Sequence, residues 1–332
     1  MANKNNLFKV TFFLGIFLFG FLIYKIGPSR IYENIKKLTW IDLTILFSLR
    51  CAYWILRTLI WKKVCFTFQE SFSFSNLFSA RMVGHTVSYL TPASYFGGEA
   101  FRAISVSSPN KKKVLASVIV DKTIEIIAAV AMTLTAVVIL AFQISIPAEF
   151  KYLSMAGIII VIIFIILVFS KQKKGFFIWI VQGFRKIRLK FSYIEKRKTK
   201  IQETDKYISD FYRKNKKEFY KITAYYFLLH MFWVCEIHLT MVFIGGQEAS
   251  FIKSFLIVSL GTIVFFLPSV PASLGTYEAA YTGLFVLMGF SSDFGISVTL
   301  LRRVLALFWA GYGLFIIGTQ KIKGKTRHID GI

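Results

Sequence analysis

Acidic side chains are scarce in this chain: 17 Asp and Glu stand against 41 Lys and Arg, leaving a formal net charge of +24. Such a balance often accompanies nucleic-acid binding, but here the basic residues sit in short clusters between apolar runs rather than on a separate domain, so no nucleic-acid partner is expected. Polar surface is equally short. With 55% hydrophobic residues and a mean hydropathy of +0.59, the composition excludes a soluble globule. The three cysteines, Cys51, Cys65 and Cys235, show neither paired nor metal-ligand spacing. Also missing are a phosphate-binding glycine loop, a His-Glu-x-x-His zinc motif and a Gly-x-Ser-x-Gly nucleophile turn. No cofactor or metal is expected.

What remains is membrane-spanning sequence. Apolar runs of helical length cover about 8–25, 40–61, 114–142, 152–170, 219–244 and 294–320. The first lacks a small-residue cleavage site, being followed by Tyr24-Lys25-Ile26-Gly27-Pro28, and reads as a retained helix. Two more stretches, about 75–106 and 251–289, are apolar but broken near their centres by proline and glycine.

Those breaks repeat. Pro92-Ala93-Ser94, four residues, then Glu99-Ala100 returns 179 residues later as Pro271-Ala272-Ser273, four residues, then Glu278-Ala279. The same offset maps the run near 40 onto the run near 219, and the run near 113 onto that near 292. Loop charge suggests how the copies thread the bilayer. Lys4 with Lys9, Lys62-Lys63, Lys111-Lys112-Lys113, residues 171–217 and the basic residues from Lys321 to Arg327 mark the cytoplasm, whereas loops 143–150, 245–250 and 290–293 carry no Lys or Arg. Every one of these is satisfied if each broken stretch enters and leaves on one face. Only loop 26–39, with Arg30, Lys36 and Lys37, falls outside against its charge.

The expected fold is therefore an all-α polytopic membrane protein: an inverted-topology repeat of six spanning helices plus two re-entrant helical hairpins. It forms one domain over 1–332, with halves of about 1–150 and 151–332 and both termini cytoplasmic. Residues 171–217 hold 16 Lys/Arg against 4 Asp/Glu. Phe176, Trp179, Ile180, Phe184, Ile187, Phe191 and Ile194 recur there at helical spacing, which fits either helices on an anionic leaflet or a plain basic loop.

Ionisable residues at bilayer depth are expensive and raise a functional question by default. The broken stretches carry Arg81, His85, Glu99, Arg102 and Glu278; the run at 40–61 carries Arg50 and Arg57, and its repeat mate His230, Glu236 and His238. Arg57 maps onto Glu236 under the offset. Asp121, Lys122 and Glu125 follow the first break, and Arg302 and Arg303 the second. These groups could simply pair to hold the bundle together. Alternatively, arginines suit phosphate oxygens and carboxylates suit ammonium groups, which together fit a lipid headgroup. At the hairpin tips, Pro92 and Pro271 would stop the incoming helices while Gly97, Gly98 and Gly275 permit the turn.

The run from Thr91-Pro92 to Gly97-Gly98-Glu99-Ala100-Phe101-Arg102 resembles the first signature of the flippase-like membrane region of lysylphosphatidylglycerol synthases and their stand-alone relatives. Leu267-Pro268, followed by Leu274-Gly275-Thr276-Tyr277-Glu278-Ala279, resembles the second. The resemblance implies movement of a lipid headgroup between leaflets of the cell membrane, with lysyl-phosphatidylglycerol as the best-known cargo. Substrate handling falls to Glu99, Arg102, Glu278, Arg57, Glu236, Asp121, Glu125, Arg302 and Arg303. The partners implied are membrane phospholipids, anionic lipid at the basic segment, a second copy of the chain and a separate lipid-synthesising enzyme, since no soluble synthase domain follows the last helix. A transporter is expected rather than an enzyme; a lipid-modifying enzyme using His85, His230 or His238, or a scaffold using the basic segment, are the rivals.

Overall fold

The computed structural model describes residues 24, 28–91, 97–143, 198–245, 248–266 and 273–329. Among them all regular structure is helical: α1 (Pro28–Ile35), α2 (Trp40–Thr67), α3 (Phe74–Leu90), α4 (Glu99–Ser105), α5 (Lys111–Gln143), α6 (Lys198–Lys214), α7 (Lys216–Phe243), α8 (Phe251–Gly261) with a 3-10 extension (Thr262–Phe266), α9 (Thr276–Leu287) and α10 (Ser292–Ile329). Four described helices are long and apolar enough to cross a membrane: Trp40–Thr67, Lys111–Phe142, Lys216–Phe243 and Ser292–Thr319. The expected runs at 8–25 and 152–170, with Pro92, Pro271 and residues 171–197, lie outside the described residues.

The order long helix, broken pair, long helix occurs twice, as α2, α3/α4, α5 and as α7, α8/α9, α10. Both breaks fall where the repeated motif places them. In each pair the chain packs back on itself. A Cβ on Gly98 would stand 1.7 Å from the Gly84 carbonyl oxygen, and one on Gly84 would stand 2.8 Å from the Cβ of Arg102. The Gly98 amide also donates to Ser88 Oγ at 2.9 Å. Contacts 98 to 88 and 102 to 84 run antiparallel, so glycine at 84 and 98 is what lets α3 and α4 touch through backbone. In the second pair the close approach is of backbone to side chain: a Cβ on Gly261 would meet the Tyr281 ring at 2.4 Å.

The chain divides into two compact units, Met1–Leu56 with Ser75–Ser105 and Leu229–Ile332, and Arg57–Phe74 with Val106–Leu228. In the first, α10 packs on both broken pairs. Thr86 donates to the Ala310 carbonyl at 3.0 Å, and Gly313 leaves no room for a Cβ beneath Thr86. Trp54, Met82, Val83, Trp309 and Ile316 form a buried cluster beside them. Three segments expected outside meet in this unit: Asn34 Nδ2 donates to Asp293 and Ser297, each at 3.3 Å, and Lys37 lies against Gly245. Residues 28–35, expected to be loop, are helical, with Pro28 at the position where a missing N–H costs nothing.

The second unit gathers segments expected in the cytoplasm. Lys112 pairs with Glu203, Lys113 Nζ lies 3.6 Å from Glu70, and Lys63 stands 5.3 Å over the Tyr225 ring. Helix α6 turns Ile208, Phe211 and Tyr212 inward and packs on α5, so the apolar face of 198–214 is covered by protein. Burial pushes the Tyr212 phenol well above its ordinary range and keeps it neutral.

Candidate functional site

Six of the nine expected site residues, Glu99, Arg102, Glu236, Glu278, Arg302 and Arg303, belong to the first unit; Arg57, Asp121 and Glu125 belong to the second.

The second break supplies a fully enclosed group. Gly275 adopts φ +75°, a conformation that favours glycine, and opens α9. Three residues on, Glu278 turns back and its Oε2 accepts the Gly275 amide at 2.8 Å, occupying one of the helix's unpaired N–H groups. Its Oε1 accepts from Arg303 Nε at 2.8 Å and also from Nη2. Arg303 continues to Tyr89 of α3, donating from Nη1 to the hydroxyl at 3.1 Å, and lies 5.3 Å from the Tyr277 ring centroid. Glu278 is 0% exposed. One arginine thus joins the second broken pair to the first.

At the first break, Glu99 starts α4 and receives Arg102 Nη1 at 2.9 Å, an i to i+3 pair within one helix. The Glu99 side chain is 21% exposed, while that of Arg102 is buried.

A third cluster joins α2, α7, α9 and α10. Arg50 Nη2 donates to Glu236 Oε1, leaving Glu236 Oε2 buried without a hydrogen-bond partner. Within electrostatic reach of Glu236 is Arg302, only 6% exposed. Its guanidinium lies 5.0 Å from the Trp233 ring and 5.5 Å from that of Tyr281. Nε and Nη1 have no hydrogen-bond partner, and no carboxylate of the described residues forms an ion pair with it. Arg302 stands ten residues into α10, about a third of the way along the apolar span Ser292–Thr319. Each ring face offsets about 0.5–2 kcal/mol, against several kcal/mol for removing the charge from water. The rings alone do not balance that arginine.

In the second unit Arg57 Nη2 meets Glu125 Oε1 at 2.6 Å, with Lys122 Nζ 3.5 Å from the other oxygen, and Asp121 accepts the Tyr226 hydroxyl at 2.5 Å. Arg57 and Glu236, equivalent under the 179-residue offset, therefore each take another partner.

The histidines carry packing bonds. His230 Nε2 lies 3.1 Å from Ser259 Oγ and His238 Nδ1 lies 3.2 Å from Ser254 Oγ, two rungs that tie α7 to α8. His85 rests on Trp54, ring centroids 4.6 Å apart. Among the described residues no three His, Cys, Asp or Glu gather as a metal site. Arg50, Tyr89, Trp233, Tyr281 and Tyr226 were absent from the expected set. Their signal in the sequence is aromatic spacing: Trp233 sits three before Glu236, and Tyr277 and Tyr281 flank Glu278 on one helix.

Comparison with known proteins gives the same direction. The family model described as the lysylphosphatidylglycerol synthase TM region matches residues 6–313. A UPF0104 membrane protein of Pyrococcus horikoshii is 27% identical over 329 residues, covering 93% of this chain and 96% of that protein. Another, of Methanocaldococcus jannaschii, is 24% identical over 315 residues, 91% of this chain and 90% of its own. No solved structure matches.

Proposed function

We propose that this chain, which belongs to the lysylphosphatidylglycerol synthase transmembrane-region family, carries the polar headgroup of a membrane lipid between leaflets while the acyl chains stay in the bilayer. The observation that carries the reading is the paired use of broken helices: the glutamate that follows each break meets an arginine, Glu99 with Arg102 of its own helix and Glu278 with Arg303 of α10. Non-helical backbone at membrane depth is tolerated where protein or an aqueous cavity receives it, and transporters place substrate at such breaks.

In this reading the two broken pairs are re-entrant hairpins of an inverted-topology repeat with six spanning helices, and both termini are cytoplasmic. Glu99 and Glu278 face a shared cavity near mid-membrane, and α10 rocks between the hairpins through the Arg303 bridge to Tyr89. The substrate is a phospholipid or lipid-linked headgroup, anionic or aminoacylated, supplied by a separate lipid-synthesising enzyme. Anionic lipid binds the basic cytoplasmic segment. We favour a transporter over a lipid-modifying enzyme because His230 and His238 are each engaged with a serine hydroxyl as helix fasteners.

Purified protein in liposomes carrying fluorescent phosphatidylglycerol, lysyl-phosphatidylglycerol or phosphatidylethanolamine tests this by quencher access to the inner leaflet. Translocation above that of empty vesicles is expected for at least one anionic or aminoacylated lipid. Rates equal to those of empty vesicles across the set would overturn the function.

A further inference from the structure

Arg302 and Arg303 are adjacent on α10 but stand in opposite electrical situations. Arg303 is neutralised by Glu278, whereas Arg302 has two ring faces, two unmatched donors and, within electrostatic reach, a carboxylate already paired with Arg50. Around Arg302 the charges are Glu236, which is buried, its partner Arg50, 14% exposed, and Arg302 itself, an excess of one positive charge about a third of the way along an apolar span. Buried cations at that depth are found with anions or hydrogen-bonding partners.

We propose that Arg302, flanked by Trp233 and Tyr281, is the binding point for the phosphate diester of the lipid headgroup, and that Glu236 Oε2 accepts a hydrogen bond from the headgroup's hydroxyl or ammonium group. This rests on the lipid-translocation reading and divides the labour between the two arginines: Arg303 joins the broken pairs, and Arg302 takes the substrate anion. A phosphate oxygen satisfies the donors left unmatched on the guanidinium and removes the charge excess. The unpartnered Glu236 Oε2, within electrostatic reach of Arg302, selects headgroups that carry a donor, because an unpaired buried acceptor penalises those that lack one.

Calorimetric titration of the full chain in a neutral detergent tests the site, with dihexanoyl-phosphatidylglycerol as probe, dihexanoylglycerol as the phosphate-free control, and inorganic phosphate as the free-anion arm. Wild type is expected to bind the phospholipid and not the control. Arg302→Gln is expected to weaken phospholipid binding about 10–100-fold, as for loss of one charge-assisted hydrogen bond. Arg302→Lys keeps the charge but not the planar fork and falls between, which also covers a Gln variant that does not fold. Lys221→Gln, on the exposed surface, leaves affinity unchanged. Unaltered phospholipid affinity in both Arg302 variants, or equal affinity of wild type for phosphate and phospholipid, would overturn the lipid-phosphate assignment. The liposome measurement separates the two levels: Arg302-dependent binding without translocation refutes the transport function alone, and full translocation by Arg302→Gln refutes this site alone.

Discussion

Glu99 and Glu278 hold equivalent places in a repeated motif, yet they are secured by different means. Glu99 meets an arginine three residues along its own short helix and keeps part of its side chain open. Glu278 is enclosed, capped on its own helix start and held by Arg303 from 25 residues away on α10. A local pair survives movement of its helix as a unit, because both partners travel together. A pair between helices breaks or drags its partner when either moves. In the proposed transport cycle the second break, tied to α10 by the Arg303 pair, would anchor and the first would move.

The strongest way to break this contrast is to remove the enclosed carboxylate. Glu278→Ala leaves Arg303 buried without its counter-charge, and a loss of about 3–5 kcal/mol is expected, read as a large fall in thermal midpoint of the purified protein. Replacing both partners with apolar residues, Glu278→Leu with Arg303→Met, should restore most of that midpoint, since a well-packed apolar pair is often as stable as the ion pair it replaces. Translocation should stay low in the double variant, because the bridge to Tyr89 is gone. A double variant no more stable than the single one would show that Arg303 is not the group destabilised.

The glycines sharpen the contrast at an intermediate scale. Gly98→Ala puts a methyl group into the Gly84 carbonyl, where the obstacle is backbone and can yield only by separating α3 from α4; about 1–3 kcal/mol of overpacking is expected. Gly275→Ala instead forces an L-residue to φ +75°, a cost of about 1–2 kcal/mol. Thermal midpoints should fall in that order. A reversal would mean that the first pair is looser than its backbone contact implies.

The sequence was informative wherever the cause is local. The span positions, both breaks and the Gly98 and Gly275 turns follow from hydropathy, proline and glycine, and each of the described ones falls within a few residues of its expected place. Partners across helices were not legible. Arg57 goes to Glu125 and Glu236 to Arg50 because neighbouring helices decide which side chains meet, and an internal repeat reports equivalence but not adjacency. The aromatic flank of Arg302 escaped for a related reason: in so aromatic a chain, tryptophan and tyrosine on spanning helices carry no mark until a cation is placed against them. The helix at 28–35 was obscured by its polarity, since a polar helix shows no apolar run.

Glu99→Gln is the smallest change in stability and the one that bears most directly on the assignment of motion to the first break. Gln keeps the shape and one acceptor for the buried Arg102, and Glu99 itself is partly exposed, so the thermal midpoint should fall far less than in Glu278→Ala. If the first pair moves with its helix and meets the headgroup, translocation should fall severalfold while the midpoint holds, and Glu99→Asp, which keeps the charge on a shorter arm, should recover part of the rate. Equal falls in rate and midpoint would make Glu99 another fastener like Glu278. An unchanged rate would place the headgroup away from the first break and leave Arg302, beside the second, as the point where the substrate is held.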